Sequence, residues 1–136
     1  MPRKLLVAVL ALGLVVAACS GASAVTQQIA TISPADAFQT IQAHLGDPNF
    51  VLLDVRTPEE YQAGRLAGAQ EIDFYAADFR QQISQLDRTK EYLVYCHTGN
   101  RSGQTLTMMK DLGFGHVEDI AGGIAAWTQA GLPVSP

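Results

Sequence analysis

Apolar residues along this chain gather into short continuous runs, with stretches of helical spacing between them. Phe50-Val51-Leu52-Leu53 is such a run, and an unbroken apolar stretch of that length fits a strand covered on both faces. Leu93-Val94-Tyr95 predicts a second strand, Val117-Glu118-Asp119-Ile120 a weaker third, and Ala69 to Ile72 another short one. Ser33-Pro34-Ala35-Asp36 reads as a helix start: serine at the N-cap, proline at the first helical position, an acid in the first turn. That helix is expected to run to about His44, burying Phe38 and Ile41, before Gly46-Asp47-Pro48 breaks it. Tyr75 to Leu86 places Phe79, Ile83 and Leu86 on one helical stripe. Arg101 to Leu112 does the same with Thr105, Met108, Met109 and Leu112. Gly123 to Gln129 predicts a last short helix, stopped by Gly131 and Pro133. Strands alternating with helices imply an α/β fold, a parallel sheet with helices on both faces. A chain of 136 residues has room for one domain.

The N-terminus breaks this pattern. Arg3 and Lys4 precede a run from Leu5 to Ala18 with no charged or strongly polar side chain. The run is shorter than the roughly 20 residues a spanning helix needs, and a basic start followed by a short apolar stretch describes an export signal. Val16-Ala17-Ala18-Cys19 resembles the lipobox of bacterial lipoproteins. That resemblance implies cleavage after residue 18, a lipid on Cys19 and a tether over residues 19–27. The folded domain is then expected over residues 28–136, on the periplasmic or cell-surface side of a membrane that holds the lipid. Stable attachment needs at least two membrane signals, such as two acyl chains on one cysteine.

Charge and cysteine count narrow the chemistry. Removing residues 1–18 takes Arg3 and Lys4 from the 9 basic residues and none of the 13 acids, which leaves 7 against 13 and a net charge of −6. An acidic surface argues against a nucleic-acid partner and against electrostatic attachment to anionic lipid. Of the 2 cysteines, an acylated Cys19 leaves Cys96 as the sole thiol. An internal disulfide and dithiol redox chemistry are then excluded. No spacing of His, Cys and acids suggests a metal site, and His44 and His116 read as ordinary helix-end and turn residues.

The stretch Tyr92-Leu93-Val94-Tyr95-Cys96-His97-Thr98-Gly99-Asn100-Arg101-Ser102 carries the chemistry. An apolar strand runs into a cysteine, then a short polar loop with glycine, then a helix start. Ligands of open parallel sheets bind at the carboxyl ends of the strands. There the loop amides form a concave anion nest beside a helix N-terminus, and Arg101 adds a full positive charge. Each of these features stabilises a thiolate on Cys96. Cys96 is therefore the candidate nucleophile.

The loop Cys-x-x-Gly-x-Arg-Ser at residues 96–102 resembles the active-site loop of single-domain rhodaneses. Three further segments resemble the same family in order: Leu53-Asp54-Val55-Arg56 with Glu59-Glu60-Tyr61, then Gly64-Arg65-Leu66-Ala67-Gly68-Ala69, then Gly122-Gly123-Ile124-Ala125-Ala126-Trp127 with Gly131-Leu132-Pro133. The resemblance covers roughly Ile32 to Pro133. It implies a three-layer fold around a parallel sheet of about five strands, with no cofactor. It also implies transfer of a sulfane sulfur from thiosulfate, a polysulfide or a persulfide to a thiol or cyanide through a Cys96 persulfide. His97, Thr98, Gly99, Asn100, Arg101 and Ser102 would then form the substrate cradle, with the backbone amide of His97 mattering more than its imidazole. Asp54 and Arg56 are expected to form a structural ion pair, Glu60 to pair with Arg56, and Trp127 to anchor the last helix in the core. Arg65 and Ala67 stand where the family usually has histidine and proline. These departures should alter a turn more than the chemistry.

Other readings share the cysteine. Phosphatases and arsenate reductases on related folds place five residues between cysteine and arginine, whereas four intervene here. The tighter cradle suits a single sulfur atom. A non-catalytic persulfide carrier, or a docking module for a protein sulfur acceptor, would use the same loop, and fold alone does not separate it from an enzyme.

Overall fold

The structure, a computed structural model, describes residues 26–136. The export signal, Cys19 and most of the tether lie outside the described residues. From Gln28 onward the chain alternates strand and helix: β1 (Gln28–Ile32), α1 (Pro34–Ala43), β2 (Phe50–Asp54), α2 (Pro58–Ala63), β3 (Gln70–Glu71), α3 (Phe79–Ser84), β4 (Glu91–Tyr95), α4 (Asn100–Asp111), β5 (His116–Ile120) and α5 (Gly123–Gln129). The sheet has five strands in the order β1-β5-β4-β2-β3, and every pairing is parallel. The C-terminal ends of the strands therefore all lie on one edge of the molecule, and Cys96 follows the central strand there.

Side chains of β4 alternate between two cores, as the pleat requires. Tyr92, Val94 and Cys96 share one face with Val51, Leu53 and Val117, and Phe79, Ile83 and Met109 of α3 and α4 cover it. Leu93 and Tyr95 face the opposite side with Leu52 and Ile120, where Ala37, Ile124 and Trp127 of α1 and α5 cover them. This is a three-layer α/β fold with helices on both faces of a parallel sheet.

Local chemistry explains the helix starts. Ser33 caps α1, its side chain accepting from the Asp36 amide at 3.1 Å. Thr57 caps α2 in a reciprocal box: its hydroxyl accepts from Glu60 N, and the Glu60 carboxylate accepts from Thr57 N at 3.1 Å. Three elements depart from the sequence expectation. β1 has only β5 as a neighbour and is half exposed, so its apolar pattern is too thin to register. α2 has six residues, less than two turns, and shows no periodicity. The helix expected from Tyr75 begins only at Phe79, because Asp73 turns the chain by accepting from the amides of Tyr75 and Ala76.

Candidate active site

Cys96 leaves β4 fully buried, and its environment is built by the segments on either side. Gly99 adopts φ +100 and caps α4, a left-handed conformation that glycine takes without steric cost. This bend turns the Gly99 amide back onto the thiol, where it donates to Cys96 Sγ at 3.1 Å. The first turn of α4 brings Ser102, also fully buried, whose hydroxyl donates to the same sulfur at 3.3 Å. The 12-residue α4 points its partially positive end at the sulfur.

The loop carbonyls are held away from the pocket. Ile124 N donates to Cys96 O at 2.9 Å and Ala125 N to His97 O at 3.0 Å. The start of α5 thus takes the acceptors and leaves amide hydrogens for the sulfur side. That contact is close: a Cβ on Gly123 would lie 2.5 Å from both Cys96 O and His97 O. His97, Thr98 and Asn100 are exposed on the rim, and Asn100 Oδ1 accepts from Gln104.

The charged residues are paired, in one case differently from the sequence expectation. Asp54 and Arg56 form a buried pair, with Arg56 Nη2 2.6 Å from Asp54 Oδ2. Arg56 also donates to Gly64 O at 2.7 Å, so its guanidinium is occupied. The expected pairing of Glu60 with Arg56 is therefore incorrect. Glu60 instead takes both ends of Arg101, at 2.7 and 2.8 Å. The hydrogen bonds from Arg101 hold the Glu60 carboxyl down at about 2, against its partial burial. Arg101 also lies over the Tyr75 ring, 5.6 Å from its centroid. Its charge reaches the Cys96 thiol, but it is balanced by Glu60 rather than free. Trp127 is buried, donates to Pro133 O at 3.0 Å and meets Phe38 edge-on.

Two features of the site escape the sequence. Asp119 on β5 is buried on the Cys96 face, and its Oδ1 has no hydrogen-bond partner. The only signal is an acid within an apolar strand run. The Gly122-Gly123 pair is visible in sequence, but its close approach to the Cys96 loop is not. A shallow groove beside the loop is bounded by His97, Glu60, Ala63, Ile124, Ala125 and Val134. Among the described residues no group of three or more His, Cys, Asp or Glu is placed to hold a metal ion.

Comparison with known proteins agrees with this architecture. Residues 37–130 match the Rhodanese-like domain family. A sulfurtransferase of Allochromatium vinosum is 32% identical over 97 residues, spanning 71% of this chain and 89% of its own. The chloroplastic thiosulfate sulfurtransferase 16 of Arabidopsis thaliana is 36% identical over 91 residues, 60% of this chain and 76% of that protein. Among solved structures, a rhodanese-related protein from Thermoplasma volcanium superposes with a TM-score of 0.66 at 32% identity, covering 77% of this chain and 96% of its own. A family match over residues 37–130, joined to a fold that superposes on a rhodanese-related structure, places this chain in the rhodanese-like domain family, among sulfurtransferases.

Proposed function

We propose that this chain moves a sulfane sulfur through a persulfide on Cys96. The thiolate attacks the outer sulfur of a donor such as thiosulfate, a polysulfide or a persulfide. The donor's sulfur–sulfur bond breaks, its leaving group departs with the electron pair, and Cys96 keeps the transferred sulfur. A thiol or cyanide then removes that sulfur in a second step. This is covalent catalysis with ping-pong kinetics. The reading rests above all on the two donors aimed at Cys96 Sγ, Gly99 N and Ser102 Oγ. Such preorganised donors stabilise negative charge on a thiolate and on a persulfide alike. The rim residues His97, Thr98, Asn100 and Arg101 would border the donor. Asp54, Arg56 and Trp127 hold the surrounding frame.

Intact-mass spectrometry before and after a sulfane donor tests the reading. The expected result is a gain of one sulfur on Cys96, removed by cyanide and absent in Cys96→Ser. A reactive thiol that takes no sulfur from any donor would sink it. Cys96-dependent hydrolysis of a small aryl phosphate would move the assignment to a phosphatase.

The N-terminal segment supports a second part of the proposal: an exported chain held to a membrane by lipid on Cys19, with extracellular thiosulfate, polysulfide or cyanide within reach. Incorporation of labelled fatty acid, lost in Cys19→Ala, is the expected result. Labelling that survives the substitution refutes lipidation there.

A further inference from the structure

The positive charge nearest the sulfur does not stand free. Arg101 gives both terminal nitrogens to Glu60, and Glu60 is itself fixed by the capping box of α2. Arg56, the other guanidinium beside the groove, is spent on Asp54 and Gly64 O. Beside the loop, the groove mixes Ala63, Ile124, Ala125 and Val134 with the polar side chains of His97 and Thr128. An arginine that faced the sulfur alone would favour a dianion. One neutralised by a fixed carboxylate does not.

We propose that the Glu60–Arg101 pair sets donor specificity, selecting organic persulfides of low negative charge over the thiosulfate dianion. This rests on the persulfide reading above. The step balances without a further reactant. Cys96–S⁻ attacks the outer sulfur of R–S–SH, the donor's S–S bond breaks with its electron pair going to R–S⁻, and that leaving thiolate takes the proton. The products are Cys96–S–S⁻ and R–SH.

Glu60→Gln in the full-length protein isolates the charge. Glutamine keeps an acceptor for Thr57 N and so keeps the cap, while Arg101 regains an unbalanced charge. The probes are cysteamine persulfide, whose ammonium offsets its persulfide, and thiosulfate. Dividing kcat/KM for thiosulfate by that for cysteamine persulfide, and comparing variant with wild type, cancels the intrinsic reactivity of each donor. The ratio is expected to rise about tenfold in Glu60→Gln, the factor that ~1.4 kcal/mol represents. In the wild type, added neutral salt should raise kcat/KM for thiosulfate and leave cysteamine persulfide little changed. A purely structural role for Glu60 would lower both donors together and leave the ratio unmoved. An unmoved or falling ratio, with sulfur still transferred to Cys96, overturns this inference alone. No sulfur on Cys96 from either donor overturns the sulfurtransferase reading and this inference with it.

Discussion

Asp119 brings a carboxyl group into the core on the sheet face that also holds the nucleophile. Burial pushes it above its ordinary value of 3.8, and the Thr31 hydroxyl pulls it only part of the way back. A buried charge without a full set of partners is costly. The folded state therefore binds this proton more tightly than the unfolded chain does. Stability falls as pH rises from 3.8 through the raised folded value, and above that value the whole cost is present. Asp119→Asn is expected to stabilise the protein at neutral pH by about 1 kcal/mol, raising Tm by about 4 °C, with the gain shrinking towards pH 4. Thermal melts at two pH values check this, and an equal gain at both would rule out the carboxyl charge as its source. At this scale the sequence was legible where chemistry is contiguous. Cys96, Gly99, Arg101 and Ser102 lie within one loop and helix turn, so their convergence follows from local geometry. Glu60 and Arg101 are 41 positions apart. Their pairing depends on how α2 sits against α4, and the cation nearer in sequence, Arg56, is closed to Glu60 because Asp54 already occupies it.

Among the elements, α5 does more than close the chain. Its first residues clamp the carbonyls of Cys96 and His97, and Gly123 permits the approach with φ +60 and no side chain. Gly123→Ala would drive a methyl group into both carbonyl oxygens. The expected outcome is a loss of at least about 3 kcal/mol, together with loss of sulfur transfer. Gly113 has a similar φ, +85, but open space around it, so Gly113→Ala should cost only about 1 kcal/mol and leave turnover intact. Melting curves and persulfide formation on both variants separate steric clash from backbone strain. The helices with full periodicity, α1 and α4, were readable to within a residue or two, α1 together with its Ser33 cap. β1 and α2 were not, because a half-exposed edge strand and a helix of six residues carry too few buried positions to form a pattern.

At the scale of the molecule, the two chain ends play unequal parts. The C-terminal segment is strapped across the domain: Arg65 and Ser135 exchange backbone hydrogen bonds at 2.9 and 2.8 Å, and Pro133 O takes the Trp127 indole hydrogen. Val134 packs against Gly64 and borders the groove. Deleting residues 133–136 is expected to cost about 2 kcal/mol and to raise KM for the sulfur donor, whereas a protein fused before Gln28 should change neither; melts and steady-state kinetics on both forms decide. The N-terminal tolerance follows from the direction of the strands. β1 runs parallel to β4 through β5, so the chain arrives at the edge opposite Cys96. A strand of five residues sets that edge about 16 Å from the catalytic one. If Cys19 is the mooring point, the nine residues from 19 to 27 pay out at most about 30 Å of line. The sulfur-bearing mouth would then sweep a thin aqueous layer above the lipid, facing outward, and would meet partners arriving from solution rather than those dissolved in the bilayer.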